Sequence, residues 1–87
     1  MITEYGRLTR ESRLEIGETL LSMARYLDEN VAYLSGTETG RIAINESLAR
    51  RTYEFFRSKG LLLDKNLMQE LANKNNSKFK PNALFKR

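Results

Sequence analysis

The sequence predicts an all-α domain of four to five helices, compact, with a helix-turn-helix at its centre and a basic C-terminal tail. Three observations predict it. The apolar residues recur at helical spacing, and Gly17, Gly40 and Gly60 fall between those runs. There is no alternation of β-branched residues, no Asn-Gly or Asp-Gly hairpin signal and no internal repeat. With 87 residues the chain suits one small domain, which buries only about 60–65% of the surface its unfolded form exposes.

Each element has a local reason. Thr3 can cap a first helix running to about Leu14, with Tyr5 and Leu8 inward and Gly17 marking its end. Thr19 can cap a short second helix, whose Leu20, Met23, Ala24 and Leu27 repeat at i, i+3, i+4 and i+7. Asp28-Glu29-Asn30 breaks the chain, and Asn30 is a good cap for a third helix carrying Val31, Leu34 and Thr37. Gly40 sits where a left-handed residue is expected after that helix. Asn45 caps a fourth helix with Leu48, Thr52, Phe55 and Phe56 on one stripe, closed by Gly60. Leu63, Leu67 and Leu71 repeat every four residues and predict a fifth helix from about Leu61 to Asn73. The domain is thus read as residues 3–73, with the helix-turn-helix at about 19–40 and a basic tail at 74–87, broken by Pro81 and read as disordered.

Composition narrows the chemistry. There is no His, no Cys and no Trp, so disulfides, a thiol nucleophile and the usual zinc, haem and iron–sulfur ligands are absent from the sequence. The commonest general base is missing too, so the reading is of a protein that is not an enzyme and needs no cofactor. No apolar run approaches the ~18–20 residues that span a membrane, and MITEYGRLTRES is too polar for a signal peptide, so a soluble cytoplasmic protein is expected. The net charge of +4 comes from the tail: residues 1–73 carry a net −1, whereas 74–87 carry +5 through Lys74, Lys78, Lys80, Lys86 and Arg87. A high pI of that origin is weak evidence for a nucleic-acid surface, because a tail can be basic for solubility alone.

Helices two and three carry the information. A short helix, a three-to-four-residue turn and a second short helix are the parts of a helix-turn-helix. Such a unit needs a small residue in its first helix so that the second can cross closely; Ala24 is that residue, with Leu27 and Leu34 filling the angle. Residues 20–41, LLSMARYLDENVAYLSGTETGR, resemble the Xre/Cro/CI-type (lambda-repressor-like) helix-turn-helix regulators in Met23-Ala24, Leu27-Asp28, Asn30, Leu34-Ser35 and Glu38-Thr39-Gly40-Arg41. EYGRLTRESRLEIG and INESLARRTYEFF are similar to the flanking helices of that family, and the likeness covers residues 3–57. Three positions depart from the pattern. Asp28 replaces the turn glycine, Glu29 adds a second acid there, and Leu20 stands where many members have a glutamine that touches phosphate.

The resemblance implies a fold, a double-stranded DNA partner and reading positions at Val31, Ala32, Tyr33, Ser35 and Gly36, on a third helix that lies in the major groove. As a hydrogen-bonding set these are poor, with no Arg for guanine and no Asn or Gln for adenine. Val31 and Ala32 can touch a thymine methyl, Ser35 can bond either base class, and the Tyr33 hydroxyl can reach a base or a phosphate. Gly36 costs about 0.8–1 kcal/mol in mid-helix relative to Ala. It is either a gap for close approach to DNA or drift at a weakly constrained position. Phosphate contacts are expected from Thr19 and Asn30 at the two helix N-termini and from Arg41. Arg7, Arg10 and Arg13 read as one ridge of the first helix, better explained as a solvated face paired with Glu4 and Glu11; Arg50 and Arg51 read as solvated as well. Glu38 reads as structural, holding the end of the third helix.

Such regulators bind as dimers on two half-sites. Leu62, Leu67, Met68 and Leu71 either close the core or meet a second copy as the interface of a homodimer. Phe79, Leu84 and Phe85 lie among the tail's basic residues, which are either a solvated tail or an arm that orders on phosphate or a partner. The leading expectation is a transcription regulator, a repressor of phage, prophage or plasmid type. The competing one is a protein-binding module that keeps the fold, such as an antitoxin, an antirepressor or an inhibitor, with a toxin or another regulator as partner.

Overall fold

A computed structural model describes residues 2–79, and these form five helices and no strand. The helices are α1 (Glu4–Ile16), α2 (Leu20–Leu27), α3 (Val31–Glu38), α4 (Glu46–Ser58) and α5 (Lys65–Asn76). Every start is capped by a side chain. Thr3 accepts from the Gly6 amide, Thr19 from Ser22, Asn30 from Ala32 and Tyr33, Asn45 from Leu48, and Asp64 from Asn66 and Leu67. Each such cap typically contributes about 1 kcal/mol, and at α2 it is reinforced because Ser22 returns a bond from the Thr19 amide.

The ends are equally local. Gly17 ends α1 at φ +73°, and Asp28 ends α2 at φ +57°, so the Asp that replaces the usual turn glycine does adopt the left-handed conformation. Its amide and that of Glu29 close onto the last carbonyls of α2, and Glu29 N–H reaches Ala24 O at 2.9 Å. Ala24, Leu27 and Leu34 are all buried in the angle of the α2–α3 pair.

Around that pair, α1 packs on α3 and α5, α2 on α3 and α4, and α4 on α5. Phe55 and Phe56 are fully buried at the centre, edge-to-face at 5.1 Å, and Phe55 meets Tyr26 likewise at 5.0 Å. Met23, Leu34, Ile44, Leu48 and Met68 complete the core.

The C-terminal helix departs from expectation. It begins at Lys65, behind the Asp64 cap and four residues later than the expected Leu61, and continues to Asn76. Its inward stripe is Met68, Ala72 and Asn75, while Leu67 is 39% exposed. Lys74 is therefore helical rather than part of a tail, and it is the ion-pair partner of Glu4, at 2.7 Å, while the Arg7 charge acts on Glu4 only as a minor influence. Asn76 fastens the α3–α4 connection by accepting from Ile44 N–H at 2.7 Å and donating to Ile44 O at 2.6 Å. The expected tail segment from Lys80 through Pro81, Leu84, Phe85 and Lys86 to Arg87 lies outside the described residues.

Candidate nucleic-acid interface

α3 has two unlike ends. Its C-terminal end is locked inside the protein. Glu38 is buried with its carboxylate on the Arg13 guanidinium, at 2.5 Å for Oε2–Nη1 and 3.1 Å for Oε1–Nη2, and Thr9 Oγ1 lies 2.9 Å from Oε2. The Glu38 carbonyl accepts from both the Thr3 amide and the Thr3 hydroxyl. α1 approaches this carbonyl so closely that a Cβ at Gly6 would overlap it. Arg13 is thus no part of a solvated ridge; it is the buried counter-charge of Glu38.

The N-terminal end faces outward. Val31 is 40% exposed, and Ala32 and Asn30 are exposed as well. Asn30 Oδ1 is taken by the Ala32 and Tyr33 amides, which leaves its Nδ2 as a free-facing donor. The Val31 amide, like those of Leu20 and Leu21 at the start of α2, has no acceptor within its helix. Thr19 is exposed at the head of α2. Two helix N-termini therefore open on the α2–α3 pair, each carrying the partial positive charge of its macrodipole.

Tyr33 is half-buried and packs against the core. Burial pushes its phenol above the ordinary value, helped by the carboxylate of Glu29 and opposed by the Arg51 guanidinium. That pair explains Glu29: Arg51 donates to it at 2.9 Å and to Leu27 O at 3.1 Å, so the second acid of the turn is neutralised and Arg51 is not a solvated residue. Gly36 is buried, and its missing side chain is matched by Ile42: a Cβ there would overlap the Ile42 side chain. The glycine serves the loop after α3, whose Arg41 and Ile42 amides both return to Gly36 O, and not an approaching ligand. It leaves the set of reading positions.

Between α1 and α3 runs a groove of about 590 Å³ lined by Ile2, Arg10, Leu20, Ser35 and Thr39, with the Arg13–Glu38 pair in its floor. Arg10, read from the sequence as part of a solvated ridge with Arg7 and Arg13, instead lines this groove. It lies four residues after Gly6 and three before Arg13, hence on the face of α1 that meets α3, and it is exposed. Arg7, Arg10, Arg25, Arg41 and Arg50 form no ion pair with a described carboxylate, and Arg41 stands exposed just past α3. Glu18, at the head of α2, accepts from Ser22 and pairs with Lys59 at 3.6 Å; the Ser22 bond holds its carboxyl below the usual range, with desolvation opposing it and the Lys59 charge adding to the lowering.

On α5 the expected interface set divides. Leu62 is 73% exposed and Leu67 is exposed, whereas Met68 is buried in this chain's own core and Leu71 packs half-buried against it. Met68 is therefore a core residue and not an interface one. Among the described residues no cluster of three or more His, Cys, Asp or Glu side chains is placed to hold a metal ion, and no helix is long and apolar enough to cross a membrane. Comparison of the chain with family models, with curated proteins and with solved structures returns no match.

Proposed function

We propose that the chain is a DNA-binding regulator that lays the N-terminal half of α3 in the major groove, with the N-termini of α2 and α3 and the side chains of Arg10 and Arg41 on the flanking phosphates. The single observation that carries this is the division of α3, locked at Glu38 and open at Val31, with Arg10 in the groove beside α3 and Arg41 exposed just past it, neither paired with a described carboxylate. The neutralisation of Glu29 by Arg51 removes one of the two acids that would repel phosphate at the turn. Resemblance of residues 20–41 to the Xre/Cro/CI-type regulators supports the same reading. A second copy, meeting the first through exposed Leu62 and Leu67, supplies two half-sites one helical turn, about 34–36 Å, apart.

A protein-binding module is the second reading, favoured by Leu14 and Leu62, which are 74% and 73% exposed. Fluorescence anisotropy separates the two, with a duplex from the protein's own upstream region against a scrambled one across a salt series. Specific binding that falls steeply with salt and weakens about tenfold or more in the Arg10→Ala/Arg41→Ala double variant supports the regulator. Equal, salt-fragile binding to both duplexes, unchanged by the double variant, overturns it; loss of a pulled-down partner on Leu62→Glu then supports the module.

A further inference from the structure

We propose that α3 discriminates DNA chiefly through the 5-methyl groups of thymine, so that sequence preference is apolar rather than hydrogen-bonded. This rests on the DNA-binding reading above and specifies its ligand: a major-groove edge with a thymine at one or two steps of each half-site.

The argument is one of elimination on the open face of α3. Its sequence, VAYLSGTE, holds no Arg, Lys, Asn, Gln or His, so the bidentate partners of guanine and adenine are absent. Two polar groups stay without a partner among the described residues, the half-buried Ser35 hydroxyl and Asn30 Nδ2. Neither has the paired donor and acceptor geometry of a bidentate base contact. The others are committed or recessed. Asn30 Oδ1 is occupied by two backbone amides. Thr39 Oγ1 sits 3.0 Å from Ser35 O, to which it donates. Tyr33 is half-buried beside the Glu29–Arg51 pair, and Gly36 is covered by Ile42. What reaches outward in the first turn is Val31 and Ala32, whose side chains end in methyl groups only.

Of the four bases, thymine alone offers an apolar group to the major groove; cytosine carries a hydrogen at that ring position. Burying such a methyl against Val31 or Ala32 releases water from both without asking either to pair a polar atom. The locked end of α3 matters here. A methyl contact has no direction of its own, so it discriminates only if the helix is held at a fixed depth, and the Glu38 anchorage to Arg13 and Thr3 does that from inside the domain.

The test uses the full chain to enrich binders from a randomised 20-bp duplex pool. The winning duplex is then resynthesised with 2′-deoxyuridine replacing thymidine at one position at a time, which deletes only the methyl. The expected result is a loss of about fourfold at one or two thymines per half-site and no change elsewhere. Val31→Thr, nearly isosteric and exposed, should shrink the thymidine-to-uridine ratio at one of those positions; a variant that merely folds less well lowers both affinities and leaves the ratio untouched. An enriched duplex that tolerates uridine everywhere overturns the methyl reading and leaves DNA binding standing. Failure to enrich any sequence overturns both.

Discussion

The two ends of α3 lie seven residues apart and obey opposite rules. At Glu38 a charge is buried, doubly paired and backed by Thr9, and the neighbouring backbone is so close that only glycine fits at position 6. At Val31 and Ala32 small apolar side chains face water, and of the arginines beside α3, Arg10 lines the groove with Ser35 and Thr39 and Arg41 stands just past the helix, neither with a described acidic partner. The contrast shows how an eight-residue helix, too short to be stable alone, becomes a rigid probe. Its inner end is over-determined by tertiary contacts, so its outer end is free to carry a surface that packing did not choose.

The largest expected effects fall at the inner end. Glu38→Gln leaves the Arg13 guanidinium buried without a counter-charge and should cost about 3–5 kcal/mol, read by urea unfolding at pH 7. The double variant Arg13→Met/Glu38→Met should recover most of that loss, because it removes both buried charges; a double variant as unstable as the single would show that something other than the ion pair holds α3. Gly6→Ala belongs on the same scale, about 3 kcal/mol, since the added methyl meets a backbone carbonyl that cannot move away.

A smaller effect lies beside that anchorage. Tyr5 is 2% exposed, and its phenol is pushed up to about 12 from 10.0, by burial first, with Thr52 opposing and the charge of Glu38 adding to the rise. The folded value is above the unfolded one, so its contribution is whole below pH 10 and is lost as pH rises through about 12. Stability should fall by about 2–3 kcal/mol across that window, and Tyr5→Phe should flatten the profile. The smallest effect is expected at Gly36→Ala, within about 1 kcal/mol. The gain in helix propensity is offset by rotating the end of Ile42, a side chain and not a backbone group. A loss as large as that of Gly6→Ala would mean that Ile42 is not free to turn.

The same contrast separates what could be read in the sequence from what could not. The α2–turn–α3 unit was legible because its determinants are local: caps at Thr19 and Asn30, a small residue at Ala24, and a turn residue, Asp28, tolerant of positive φ. α5 was misphased because leucines at 63, 67 and 71 compete with a second stripe at 68, 72 and 75. The choice between the stripes is made by α4 and the N-terminal segment, not by α5 itself. Asp64 was the overlooked cap. Glu38 was rightly taken as structural, but its partner Arg13 is 25 residues away and no spacing rule connects them. Arg51 and Glu29 are likewise joined across 22 residues. The outward placement of Arg10 follows from helical spacing only once Gly6 and Arg13 are known to face α3.

The most direct test of the divided helix is an amide chemical-shift map of the ¹⁵N-labelled chain on titration with its upstream DNA duplex. Shifts confined to residues 19–22, 30–32, 35, 39–41 and the Arg10 face of α1, with the amides around Met68 and Phe55 unmoved, are the predicted result. Shifts centred on Leu62 and Leu67, with the first turn of α3 silent, would contradict it.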